Sequence, residues 1–187
     1  MSLEDSLIKH CSPTLAGIKL ASLYRFFPED AQQFTLQLKR WREWFVLNGL
    51  RLLVLKGYRE SNSYLLYLYR PYTLAQELER PEVSEFLGSL GYDMSGGYDG
   101  VLRQLILRLH QCAEFPHEIG IFLGYPLEDV IGFIENGGKN YTCCGCWKSY
   151  GDPIEASRRF SSYRSCTEAY KHRYANGAGV ACLTVAV

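Results

Sequence analysis

Three places in the chain carry side chains whose types and spacing could do chemistry. Cys11 precedes Ser12-Pro13-Thr14, which reads as the start of a helix. The positive end of a helix lowers a thiol pKa and populates the nucleophilic thiolate. His117-Glu118 supplies a base and a carboxylate. With Cys11 as nucleophile, His117 as base and Glu118 as orienter, the three would form a Cys-His-acid constellation for acyl or related group transfer. The plainer alternatives are that Cys11 is a small buried hydrophobe and that His117 and Glu118 cap a helix start. A zinc-protease reading of His117-Glu118 fails, because the second histidine needed one turn later is Ile121.

The third place is Cys143-Cys144-Gly145-Cys146, where Cys143 and Cys146 have metal or redox spacing and Cys166 and His172 could nominally complete four ligands. The last two lie six residues apart on a predicted helix and point about 120° apart, so they do not converge. A thioredoxin-type pair opens a helix after a strand, whereas this one enters the strand-like Trp147-Lys148-Ser149-Tyr150. No metal is expected, and no cofactor is identifiable. The glycine segments do not form a nucleotide site either: Gly137-Gly138-Lys139-Asn140 lacks a Ser or Thr after the lysine and follows a helix where a phosphate loop would precede one.

Composition narrows the classes further. Twenty basic residues balance twenty acidic ones, against the basic excess of a generic nucleic-acid binder. From Gly137 onward seven Lys and Arg face three Asp and Glu, which leaves an anion site possible towards the C-terminal end. No apolar run approaches the ~20 residues of a membrane span and the start, MSLEDSLIKHCS, has no secretory h-region, so a cytoplasmic protein is expected. Seven irregularly spaced cysteines suit reduced thiols rather than a disulfide framework.

The elements that must position these groups follow from periodicity. The 187 residues favour a single domain spanning 1–187. Phe34, Leu38, Trp41 and Phe45 mark an amphipathic helix running from Glu29 to Asn48-Gly49. Residues 50–56 and 63–70 read as an antiparallel hairpin closed by Pro71. Short helices are expected at 74–78 and 81–90, followed by a stronger one carrying Leu102, Leu105, Leu109 and Cys112 on a buried stripe. A short helix between Pro116 and Gly124, with a strand as the competing reading, and another helix over 127–136 precede a strand at 144–150. The last helix starts at Asp152-Pro153, ends at Asn176-Gly177, and carries Ala156, Phe160, Tyr163, Thr167, Tyr170 and Tyr174 on one stripe beside Cys166. The expected fold is α+β: a small antiparallel sheet, made of the hairpin and the strand near Trp147, covered by the Phe34 and Phe160 helices.

Cys11-Ser12-Pro13-Thr14-Leu15-Ala16-Gly17-Ile18-Lys19, the string FPHEIGIFLGYPLEDVIGFIENGG, and Gly145-Cys146-Trp147-Lys148-Ser149-Tyr150-Gly151-Asp152 occur in this order along nearly the whole chain. Together they resemble an uncharacterised bacterial family, common in anaerobic clostridia, that carries only a domain-of-unknown-function label. The chain departs from that pattern at Ser149, where WKVY is usual, and at Leu20, which replaces a proline. The resemblance implies a single-domain cytoplasmic protein with no assigned reaction.

Each motif pairs a polar or reactive group with glycine or proline, a composition that fixes a turn and presents a side chain. Cys11, Lys19, His117, Glu118, Tyr125, Trp147 and Lys148 are therefore expected around one concave surface. Lys19 and Lys148 would favour an anionic ligand, and Tyr125 and Trp147 would supply flat apolar area. The plainer alternatives are a snorkelling Lys19 and glycines that serve packing alone. Binding of a small anionic ligand or a partner is the preferred function; the alternative is the group-transfer enzyme built on Cys11 and His117.

Overall fold

The computed structural model describes residues 1–112 and 114–186. It is α+β, with a small antiparallel sheet among several helices, as the sequence predicts. The chain forms two compact units: Met1–Tyr72 together with the chain from Ser165 onward, and Thr73–Arg164. No helix among the described residues is long and apolar enough to cross a membrane.

The first unit opens with α1 (Leu3–Leu15), started by a reciprocal cap. The Asp5 N–H donates to the Ser2 hydroxyl and the Ser2 N–H donates to the Asp5 carboxylate, each at 3.0 Å. After β1 (Ala21–Phe26), the Asp30 carboxylate accepts the N–H groups of Gln32 and Gln33 and starts α2 (Ala31–Leu47). Strands β2 (Arg51–Tyr58) and β3 (Ser63–Tyr69) form the predicted hairpin, and β1 pairs with the other edge of β3, giving the order β1-β3-β2. One sheet face carries Leu52, Leu66 and Leu68, which join Leu7, Leu15, Phe34, Trp41 and Phe45 in a single core. Tyr170 and Tyr174, near the end of α8 (Pro153–Ala175), pack against that core, and the Tyr174 hydroxyl donates to Asp5 at 3.1 Å.

A buried arginine ties this unit's ends together. Arg70, 3% exposed, donates from Nε to the Thr14 carbonyl at 2.9 Å and from Nη2 to the carbonyls of Leu15 and Val185 at 3.0 and 2.8 Å. The Val185 N–H donates to the Leu15 carbonyl at 2.9 Å. The guanidinium thus faces the negative end of α1, where the last carbonyls have no partner within the helix.

The second unit runs through α3 (Pro71–Leu78), α4 (Pro81–Ser89), α5 (Gly97–Gln111), α6 (Ile119–Phe122) and α7 (Leu127–Asn136) to the hairpin β4 (Cys143–Cys144) and β5 (Lys148–Ser149), then into α8. Its helices bury Leu74, Leu78, Leu87, Leu105, Leu109, Phe122 and Val130. Trp147, Ala156 and Phe160 form a separate small core beneath Tyr125, Cys143 and Tyr163.

Four expectations need correction. The Trp147 segment does not join the main sheet: it turns back on itself as the two-stranded β4-β5 hairpin, and the third strand of the main sheet is β1. Phe160 accordingly packs on Trp147. Cys112 is exposed because α5 stops at Gln111 and the next residue turns extended, off the buried stripe. Cys11 lies inside α1 and not at its start, since Ser2 is the cap and Pro13 sits in the last turn.

Phe45 is fully buried, with the Trp41 and Trp44 rings 5.4 and 5.5 Å from its own. Phe45→Ala should cost about 3–5 kcal/mol in urea unfolding. Leu47→Ala, at a side chain 84% exposed on the same helix, should stay within about 0.5 kcal/mol.

Candidate functional site

The geometry around the central motifs is set by Asp129. This carboxylate, only 3% exposed, lies in the first turn of α7 and reaches across to the β5 hairpin. Its Oδ2 accepts the Trp147 indole N–H at 2.6 Å. Its Oδ1 accepts the Ser149 hydroxyl at 2.9 Å and the backbone N–H groups of Tyr150 and Gly151 at 2.6 and 3.1 Å. Charge-assisted bonds to backbone N–H groups are the strong kind, and four donors satisfy a buried carboxylate. Gly132, one turn further along α7, lets the strand come close: a Cβ there would lie 2.4 Å from Tyr150 Cγ.

Held this way, Trp147 faces inward and is 9% exposed. Tyr125 stacks on it with centroids 4.6 Å apart and planes 20° apart, and Phe160 meets it edge-on at 4.6 Å. Burial pushes the Tyr125 phenol up to about 12, and the nearby Cys146 and Tyr163 add to the shift. Tyr125 and Trp147 therefore come together in packing.

His117 and Lys148 meet on another ring. The exposed His117 imidazole lies 4.8 Å from the Phe133 ring, and the Lys148 amine stands 5.9 Å from the same ring and 5.2 Å from that of Tyr141. Lys148 Nζ donates to the Gly138 carbonyl at 2.7 Å. Phe115 lies 6.2 Å from His117, and Phe115 and Tyr141 are 44% and 45% exposed. The result is an outward strip, Phe115, His117, Phe133, Lys148 and Tyr141. Glu118 turns the other way and is buried. It accepts the Tyr92 hydroxyl at 3.0 Å and pairs with Arg108 at 3.5 Å, while Arg108 lies over the Tyr92 ring.

Cys11 and Lys19 belong to the first unit. Burial pushes the Cys11 thiol up to about 12, against the opposing pull of the Lys19 ammonium and a hydrogen bond with Ser22. That reverses the lowered pKa expected of a helix start, because mid-helix burial removes water and supplies no free N–H. Buried hydroxyls surround it on α1 and β1: Ser6 bonds Tyr24 at 3.1 Å and Thr14 bonds Ser22 at 2.8 Å.

Sequence reasoning missed Asp129, Phe133, Arg108 and Arg70. Glu128 and Asp129 look alike as first-turn carboxylates, yet Glu128 is exposed and Asp129 buried. The available signal was position: Asp129 shares its face with buried Val130 and Gly132 and precedes a segment rich in donors. Among the described residues no group of three or more His, Cys, Asp and Glu side chains is placed to hold a metal ion.

Asp129→Asn, with its amide oxygen toward Ser149, Tyr150 and Gly151, turns its NH2 against the Trp147 indole N–H and should cost about 2–4 kcal/mol in urea unfolding, with Trp147 fluorescence following the loss. Glu128→Gln should change stability by less than about 0.5 kcal/mol. The raised Cys11 thiol carries a pH signature. An unfolded thiol titrates near 9.0 and the folded one near 12, so folding favours the protonated form. The contribution is full below pH 9 and is lost as pH rises to 12. Unfolding at pH 8 and pH 11 should show a steeper loss for the wild type than for Cys11→Ala. Iodoacetamide at neutral pH should leave Cys11 unlabelled while Cys144, Cys146 and Cys182 react.

No curated protein and no solved structure matches the chain. One family does, described as protein of unknown function, and the match covers residues 7–184. That span takes in Arg70, the Asp129 anchor and the aromatic strip, and ends one residue before Val185. The chain belongs to the DUF3793 family of proteins of unknown function.

Proposed function

We propose that this protein is a cytoplasmic, noncatalytic binder of a small planar anion, held on the strip of Phe115, His117, Phe133, Lys148 and Tyr141. The observation that carries the reading is the shared Phe133 ring, which has an imidazole 4.8 Å and an ammonium 5.9 Å from its centre. Lys148 spends one donor on Gly138 and keeps two for a ligand. The half-exposed rings offer flat apolar area beside that charge, the pairing that recognises an aromatic carboxylate. Tyr125, Trp147 and Asp129 act from behind, fixing the hairpin on which Lys148 sits. Group transfer through Cys11 has less support, because its sulfur is fully buried and its thiol is raised to about 12.

Benzoate is the simplest probe. In amide-detected NMR, benzoate should produce saturable shifts around His117, Phe133 and Lys148, and neutral benzamide should not. Lys148→Gln should weaken the apparent affinity by about tenfold or more, the scale of one charge-assisted hydrogen bond. Shifts that fail to saturate, or that persist unchanged in Lys148→Gln, would sink the assignment.

A further inference from the structure

The β4-β5 hairpin places two thiols in the open beside a cation. Cys144 and Cys146 are both exposed, whereas Cys143 packs against the Trp147 and Phe160 core with its sulfur 3.6 Å from the Ser157 hydroxyl. Successive strand residues point to opposite faces, so Cys144 turns away from Cys143 and away from that core. Cys144 pairs directly with Lys148 across the hairpin, which puts both side chains on one face about 5 Å apart at Cβ. Between the two exposed thiols stands Gly145, where the chain bends and the N–H donates to the Trp147 carbonyl at 3.0 Å. A Cβ at Gly145 would come within 3 Å of three Phe160 ring carbons, so the backbone is seated on that ring and the bend is fixed. Residues i and i+2 are at most about 7 Å apart at Cα, and a bend shortens this into the range a disulfide spans.

We propose that Cys144-Gly145-Cys146 is a reversible dithiol–disulfide site that exchanges with anionic low-molecular-weight disulfides. The Cys144 thiolate attacks one sulfur of the small disulfide, forming a mixed disulfide and expelling a small thiolate, which takes up a proton. The Cys146 thiolate then attacks the Cys144 sulfur and expels the second small thiol. The protein's two thiols lose two electrons and two protons, and the small disulfide becomes two thiols. Lys148 supplies the charge that draws an anionic disulfide to the pair. A ring closed over a single intervening residue is strained, which places it among the labile disulfides rather than the structural ones. This site does not depend on the anion-binding reading above.

The test uses the full chain and oxidised glutathione at neutral pH. Trypsin cuts after Lys139 and Lys148, so one peptide, residues 140–148, carries all three thiols. In the wild type and in Cys143→Ser this peptide should lose two hydrogens, with the cross-linked form exceeding the mixed disulfide by about tenfold. Cys144→Ser and Cys146→Ser should instead retain a glutathione adduct. A cross-link that survives Cys144→Ser and disappears in Cys143→Ser would assign the bond to Cys143 and overturn the proposal. So would a wild-type peptide that holds only the adduct. Replacing Lys148 by Gln should slow the reaction with oxidised glutathione at low salt and leave that with uncharged dithiodiethanol unchanged; equal slowing of both would remove Lys148 from the site.

Discussion

The β4-β5 hairpin and the side chains it presents hang from one buried carboxylate. A hairpin with two residues per strand cannot hold itself in water, and β4-β5 has no other strand beside it among the described residues. Asp129 supplies what the hairpin lacks: one anchor on a helix that takes the indole, a hydroxyl and two backbone N–H groups of a single short segment. Once that segment is fixed, Trp147 has its place between Tyr125 and Phe160, and Lys148, the next residue, points the other way onto Phe133. An interior anchor thus sets the geometry of an exterior surface, and alternation along a strand is the link between them.

The same economy accounts for much of the polarity of the family-like motifs. The polar groups in the first motif serve the interface of α1 with β1 and the Arg70 clasp, where buried hydroxyls and carbonyls find partners within the unit. In the central motif, Glu118 is absorbed by Tyr92 and Arg108. Buried polar groups that are paired in this way help to specify one packing arrangement.

Much of the fold was legible from periodicity and capping. The apolar spacing of α2, the two β-rich runs of the β2-β3 hairpin and the Asp-Pro start of α8 each state a local preference that the tertiary structure keeps. What escaped were elements whose local signals point elsewhere. Pro13 after Ser12 imitates the beginning of a helix, whereas it stands in the last turn of α1, where the Ser12 hydroxyl bonds the Ile8 carbonyl. Strand β1 is short and carries Arg25, so nothing in its composition separates it from a loop until β3 pairs with it. The candidate site was half visible: His117 and Lys148 were identified by type, but Phe133, the ring that joins them, looks in sequence like one more apolar helix residue.

The Arg70 clasp bears on the order in which the chain can acquire its structure as it leaves the ribosome. Residues 73–164 are contiguous and can begin to organise while the rest is still being made. The first unit cannot: α1, the sheet and Arg70 precede residues 73–164, yet the Val185 carbonyl of the clasp, and the Tyr170 and Tyr174 rings that pad the core, follow them. While residues 73–164 are being made, the segment before them therefore waits with part of its core uncovered and a guanidinium short of one acceptor. Closing the clasp is a long-range event joining residues more than a hundred positions apart, and the entropy of that loop falls on the step that brings them together.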